Sequence, residues 1–144
     1  MKKEFYKSST AIVYYDADVD ALFLEYTAKV LNDKQFVEIN FAVLNAFQLL
    51  STQKFVVDIR KMGIIGVASQ QWVATTLLPG MVKHLKGKKL FHAQLIDPKE
   101  ILSKVSASNI KNKSSKADGN VELIQFTSME NLKAQLKSWD LISY

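Results

Sequence analysis

The chain has 144 residues, of which 48% are hydrophobic and 23% charged, and it contains no cysteine. This length and composition fit one globular domain, residues 1–144, with a real hydrophobic core, and they exclude disordered and fibrous classes. The lack of cysteine excludes disulfides, thiolate metal sites and a cysteine nucleophile, and it suits a cytoplasmic location. No run approaches the roughly 20 apolar residues that span a bilayer, so we expect no stable membrane insertion.

Lysine is concentrated in the second half of the chain. The formal net charge is +5, and most of the excess lies after residue 80, with a dense run at residues 83–89. Nucleic-acid-binding proteins usually combine such charge with aromatic side chains that stack on bases or with a helix that contacts base edges, and neither accompanies this run. We therefore expect no nucleic-acid partner and interpret the run as a solvated face, with contact to anionic membrane headgroups as the alternative.

Residues 10–15 and 21–27 are β-branched and aromatic runs separated by a short acidic segment, which predicts an antiparallel hairpin. The acidic segment imitates the first half of a calcium-binding loop. However, Ala21 stands where the sharp bend needs glycine, and Thr27 stands where a bidentate glutamate belongs. We therefore expect no metal ion at this turn.

A long helix is predicted next, capped by Asn32 or Asp33 and running to about residue 51. Its apolar residues follow helical spacing and form a core stripe. Phe41 and Leu44 widen the stripe beyond one face. An apolar arc of this width indicates either ordinary burial or a second contact surface, such as the interface of a homodimer.

The middle of the chain predicts a strand at residues 55–59 that is buried on both faces, because its apolar run is continuous. We interpret Asp58, near the end of that run, as an acceptor of amides from the following loop, with a role as acid or base in a site as the alternative. Gly63 and Gly66 allow the loop to turn sharply. Ser69 is the predicted N-cap of the next helix.

That next helix carries Trp72 and Leu77 and is expected to break or kink at residues 79–80. These two side chains, together with Met62 and Ile64, could line an apolar pocket for a ligand or a partner. The alternative is that all four belong to the core, because large apolar residues at helical spacing usually face inward.

The last third of the chain predicts two further strands, at residues 90–96 and 121–126. Helices are expected to start at residues 97–100 and 127–130, and a mobile loop is expected at residues 106–120. The order β-β-α-β-α-β-α-β-α predicts an α/β fold. Its single-layer mixed sheet is mainly parallel, with an N-terminal antiparallel hairpin.

The usual sequence signatures of catalysis are missing. The chain has no G-x-S-x-G elbow, no Walker loop and no G-x-G-x-x-G motif, and its histidines, His84 and His92, are not spaced as metal ligands. We expect a protein that is not an enzyme and has no cofactor, with a site built from residues distant in sequence as the alternative.

The order of elements resembles the STAS domains of the anti-sigma-factor antagonist, or SpoIIAA-like, type. The residues that carry the resemblance are the strand Val57-Asp58-Ile59, the turn Met62-Gly63-Ile64-Ile65, and a helix with Trp72 followed by Pro79. The chain is most similar to a bacterial branch of that fold described as STAS/SEC14-like. As topology, the resemblance covers nearly the whole chain.

The resemblance implies a non-catalytic regulatory domain that binds a protein partner through the loop and helix after the central strand. Its contact residues would be Asp58, Met62, Gly63, Ile64, Ser69, Trp72 and Leu77. In the best-known members a serine at the start of this helix is phosphorylated; here the aligned positions are Gly66, Val67 and Ala68. The next residue, Ser69, either carries that phosphate or is a plain N-cap, which we favour. The resemblance to the SEC14-like branch implies an alternative function, as a carrier or sensor of a small apolar or lipid-like ligand.

Overall fold

Runs of β-branched and aromatic residues form the strands of one sheet in the computed structural model, which describes residues 1–99 and 120–142 and the side chains of these residues through position 139. The strands in the described chain are β1 (Lys2–Lys7), β2 (Ala11–Asp16), β3 (Ala21–Tyr26), β4 (Lys54–Asp58), β5 (Leu90–Leu95) and β6 (Val121–Phe126). They lie side by side in chain order. β1, β2 and β3 pair antiparallel, and β3 to β6 pair parallel.

The predicted mixed sheet with an antiparallel hairpin at its start is thus confirmed, with one strand added. The added strand, β1, has the largely charged sequence Lys-Lys-Glu-Phe-Tyr-Lys and so carries no apolar pattern that predicts a strand. A strand at the edge of a sheet tolerates such charge, and lysine there discourages pairing with another edge. The helix predicted from residues 97–100 and most of the loop predicted at 106–120 lie outside the described residues.

The helices of the described chain are α1 (Asp33–Gln48), α2 (Val67–Trp72), a π-helical turn (Val73–Leu77), α3 (Leu78–His84) and α4 (Met129–Ile142). Asn32 caps α1 as predicted, because its side-chain oxygen accepts a hydrogen bond of 2.8 Å from the backbone N–H of Gln35. The hydroxyl of Ser128 accepts from the backbone N–H of Asn131 at the start of α4.

The helical segment made of α2, the π turn and α3 does not end at Pro79 but continues through it. Pro79 has no N–H to donate to the carbonyl four residues earlier, and its ring would clash with that carbonyl in a regular α-helix. The π turn lies immediately before it, and Leu78 N–H bonds to the carbonyl of Val73 five residues back. Gly80 follows, where an added Cβ would lie 3.0 Å from Leu44 Cδ1. The missing side chain therefore allows α1 and α3 to pack closely.

The two faces of the sheet carry separate cores. Helices α1, α2 and α3 and the π turn cover one face; α4 contacts β5 and β6. Every residue of β4 is buried, which confirms the prediction for the central strand. Because side chains alternate along a strand, Val57 belongs to the core on the α1 side and Val56 to the core on the α4 side.

Candidate partner-binding site

A cleft opens at the carboxyl ends of β3 and β4, where ligands and partners commonly bind α/β sheets. The chain leaves each strand and enters a helix on the same side, so that the segments before α1 and α2 face each other. The backbone N–H of Val30 donates to the carbonyl of Met62 at 3.1 Å and joins the two segments. The cleft has a volume of about 220 Å³ and is lined by Val30, Leu31, Asn32, Asp33, Ile64, Ile65, Gly66 and Ser69.

A contact between α1 and α2 lies in the lining of the cleft. The hydroxyl of Ser69 is fully buried and donates a hydrogen bond to Oδ1 of Asp33. The same carboxylate lies against Gly66, where an added Cβ would come within 2.9 Å of Oδ1. Asp33 therefore places a negative charge at the amino end of α2, where the helix dipole and the free N–H groups favour an anion.

The prediction that Ser69 is the N-cap of this helix was wrong. The N-cap of α2 is Gly66, whose backbone is extended and which offers no side-chain cap. Helix α2 therefore begins earlier than predicted, and Ser69 is its third residue. The hydroxyl of Ser69, which was expected to cap its own helix, donates instead to Asp33 of α1, and sequence spacing cannot reveal a partner 36 residues away.

Exposed apolar side chains line the cleft or lie next to its lining in sequence. Leu31 is 79% exposed, Ile64 56% and Val67 63%, which makes them three of the largest apolar side chains left in solvent in the described chain. Single exposed apolar residues are normal, whereas several around one concave site indicate an interaction surface. The exposed lysines Lys29 and Lys34 flank the first of the two segments. The rim of the cleft is therefore apolar and basic.

The structure separates the other apolar residues of the predicted site. Met62 and Leu77 are buried in the core on the α1 side, and Trp72 is partly buried against that core. Gly63 is also buried and has a φ of 77°, which a glycine adopts without strain. Of the four apolar residues expected to form a pocket, Ile64 lines the cleft. Core burial, the alternative interpretation, therefore holds for Met62 and Leu77.

Asp58 lies on the other side of the sheet. It follows the same alternation as Val56 and so faces the α4 side, away from the cleft. Its Oδ1 accepts from the backbone N–H of Arg60 at 3.2 Å, which confirms the predicted bond to the loop. The Arg60 guanidinium also donates from Nε to Oδ1 at 2.9 Å and from Nη2 to Oδ2 at 2.7 Å. These bonds raise the pKa of Arg60 and fix the start of the loop.

A second group of polar residues lines a small cavity inside the core on the α1 side. Asn40 Nδ2 donates to the Tyr26 hydroxyl at 3.0 Å, and His92 Nδ1 donates to the carbonyl of Phe55 at 3.1 Å. Burial lowers the pKa of His92 to about 4 and raises that of Tyr26. His92 and Gln94 alternate along β5, which is the sequence signal that both face this cavity.

The cavity is small. Its volume is about 20 Å³, which is room for about one water molecule. Its lining comes from β3, β4 and β5 on one side and from α1 and the π turn on the other. A carrier of an apolar or lipid-like ligand would therefore have to move α1 or the π turn away from the sheet.

Comparisons with protein-family models, with curated proteins and with solved structures find no match. None of the helices in residues 1–99 and 120–142 combines the length and the apolar character needed to cross a membrane. Within the same residues, no three histidine, aspartate or glutamate side chains come together as a set of metal ligands.

Proposed function

We propose that this protein is a non-catalytic regulatory domain of STAS-like type that binds a protein partner in the cleft between α1 and α2. The observation that carries the proposal is that the exposed apolar side chains of Leu31 and Ile64 line a concave site at the carboxyl ends of parallel strands, with exposed Val67 next to the lining in sequence. Burying such side chains is the dominant favourable contribution to protein association. A cytoplasmic location is part of this proposal.

The chemistry of the rim also favours one kind of partner. Lys29, Lys34 and Lys61 are exposed around the two segments of the cleft. Asp33 is the acidic residue of the lining, and its carboxylate already accepts a hydrogen bond from the hydroxyl of Ser69. We therefore propose that the bound segment of the partner presents apolar side chains flanked by carboxylates, since complementary charge selects partners and speeds their encounter.

The polar groups of the cleft support binding rather than catalysis. The lining contains one hydroxyl, of Ser69, and one carboxylate, of Asp33, and the hydroxyl donates a hydrogen bond to the carboxylate. A serine nucleophile needs a neighbouring base that can accept its proton, and His92, the buried histidine, lies in the separate interior cavity. The remaining lining residues that reach solvent are apolar or amide side chains.

Affinity capture with chemical crosslinking tests the proposal. A double variant, Leu31→Glu with Ile64→Glu, should lose at least 90% of the partner that the wild-type chain retains, because two carboxylates then face an acidic segment across an apolar contact. The matched control is Leu49→Glu, which makes the same exchange at a residue that is 76% exposed and far from the cleft. The control should retain the partner.

The proposal fails if the double variant retains the partner as the wild type does, or if crosslinked peptides map away from the two segments. Both variants should melt cooperatively near the wild-type temperature, because the replaced side chains are exposed. Native mass spectrometry of freshly purified protein examines the carrier alternative. A copurified small molecule would favour the carrier, and a bare chain would count against it.

A further inference from the structure

Four polar side chains line the small cavity inside the core on the α1 side. They are Tyr26 of β3, Asn40 of α1, and His92 and Gln94 of β5, and each is only 2% exposed. None of them reaches bulk solvent, so their hydrogen bonds have to be made inside the fold. A buried polar group without a partner destabilises a protein, and nearly all such groups are paired with protein atoms or with ordered water.

The pair formed by Asn40 and Tyr26 uses only part of its hydrogen-bonding capacity. Asn40 Nδ2 donates to the Tyr26 hydroxyl at 3.0 Å and to the carbonyl of Phe36 at 2.9 Å. These bonds use both N–H groups of the amide and leave its Oδ1 as an acceptor. The Tyr26 hydroxyl accepts from Asn40 and keeps its own O–H as a donor. Neither of these remaining groups has a partner among the described residues.

The two residues of β5 are also only partly satisfied. His92 Nδ1 bonds to the carbonyl of Phe55, and because a carbonyl can only accept, Nδ1 carries the proton of the neutral ring. Nε2 is then an acceptor. Gln94 Oε1 accepts from Gln125 Nε2 at 3.0 Å, and the amide N–H groups of Gln94 remain as donors. Within residues 1–99 and 120–142, neither His92 Nε2 nor the Gln94 amide nitrogen has a hydrogen-bond partner.

We propose that the cavity is a binding site for one buried water molecule, held by all four side chains. Water donates two hydrogen bonds and accepts two. It can therefore accept from the Tyr26 hydroxyl and the Gln94 amide and donate to His92 Nε2 and Asn40 Oδ1. The volume of about 20 Å³ suits one water and leaves no room for a larger ligand. Buried waters typically make about three such bonds, whereas cavities that stay dry are apolar.

The bound water would connect elements that are not neighbours in the sheet. β4 lies between β3 and β5, so Tyr26 and the two polar residues of β5 belong to strands that do not pair with each other. Asn40 adds α1 to the same network. The water thereby joins the helix to both strands through hydrogen bonds in an otherwise apolar core. This inference does not rest on the proposed function, because the cavity and the cleft share no lining residue.

A high-resolution crystal structure of the wild-type protein tests the site directly. One water should lie in the cavity within about 3.2 Å of His92 Nε2 and of polar atoms of at least two of the other three side chains. The inference is overturned by a cavity that holds no ordered molecule, or by a water that contacts fewer than three of the side chains. A molecule larger than water also overturns it and would support the carrier alternative.

Oxygen-17 magnetic relaxation dispersion, which counts long-lived waters in solution, tests the role of the side chains. The double variant His92→Phe with Gln94→Met keeps a ring and a chain of the same length but removes an acceptor and a donor from the cavity. It should bind one long-lived water fewer than the wild type, because two polar partners remain where a buried water usually has about three.

The matched control is His84→Phe with Gln125→Met. It makes the same two exchanges outside the cavity lining and also removes the hydrogen bond between Gln94 and Gln125. The control should keep the wild-type number of long-lived waters. Equal numbers in the wild type and the cavity variant, or the same loss in the control, overturn the inference. Cooperative melting establishes that each variant is folded, and the wild-type crystal structure decides if the cavity variant is not.

Discussion

Acid should weaken the fold through His92. Its ring is buried in the core on the α1 side, where it stacks on Phe55 with ring centroids 4.8 Å apart. Nδ1 donates to the Phe55 carbonyl, so the neutral ring satisfies its N–H without water. Protonation would place a positive charge in this apolar environment, and burial accordingly lowers the pKa of His92 to about 4.

The size of the effect follows from the difference between the folded and unfolded pKa. In the unfolded chain His92 titrates at its ordinary value of 6.5, whereas in the fold it titrates at about 4. Between these values the unfolded chain binds more protons than the folded chain, so the free energy of unfolding falls as the pH falls from about 6.5 to about 4. The contribution of neutral His92 to stability is complete above this pH range. At about 1.4 kcal/mol for each pH unit, the loss is about 3 kcal/mol.

Urea unfolding between pH 7.5 and pH 4 measures this loss. Carboxylates titrate in part of the same range, so the informative quantity is the difference between the wild type and His92→Gln, which keeps an amide donor but no titrating ring. The variant should lack about 3 kcal/mol of the wild-type pH dependence. His84→Gln replaces the other histidine of the chain and is the control, which should keep the wild-type loss.

Parallel loss of stability in the wild type and in His92→Gln would refute the reasoning. A direct measurement is available from the ring resonances of His92 in NMR spectra recorded over the same pH range. A ring that titrates near 6.5 in the folded protein would show that the charged form is accommodated, and the buried environment would then not have the effect described.

Two further predictions concern the loop after β4. Arg60→Ala should lower the free energy of unfolding by about 2 kcal/mol, because it removes the hydrogen bonds that the Arg60 side chain donates to the buried Asp58 carboxylate. Lys61→Ala, at the exposed next residue, should leave the free energy of unfolding unchanged. Equal effects of the two variants in urea unfolding would contradict the assigned ion pair. Gly63→Ala should cost about 1 to 2 kcal/mol, because φ is 77° and the added Cβ would lie 3.3 Å from a neighbouring side chain. Gly87→Ala, with a φ of 94° and open space around it, should cost less in thermal unfolding, and the reverse order would contradict the contact.

The elements that depend on local chemistry could be predicted from the sequence. The apolar run at residues 55–59 is a strand buried on both faces, and Asn32 caps α1 through its own side chain. The β1 strand could not be predicted in this way, because it is stabilised by pairing with β2 and not by an apolar pattern of its own. The start of α2 was misplaced for a similar reason, since the hydroxyl of Ser69 bonds to Asp33 of another helix and does not cap its own helix.

The candidate site was predicted less well than the fold. The loop from Met62 to Ser69 does border the cleft, but exposure of its residues is decided by how α1 and α2 meet. Ile64 faces solvent, whereas Met62 and Ser69 are buried, and no periodic pattern of the loop distinguishes them. The other side of the cleft, with Leu31 at its edge, was not considered as part of the site, because it comes from a segment more than 30 residues earlier.

The hydrogen bond between Ser69 and Asp33 has a consequence for the order in which the cleft forms. The N-cap of α2 is a glycine without a side-chain cap, and the buried hydroxyl of Ser69 in the first turn has its acceptor on α1. An excised peptide containing α2 alone would lack that acceptor, so we expect its amino end to fray. We therefore expect the two walls of the cleft to form together during folding, when α1 docks on the sheet.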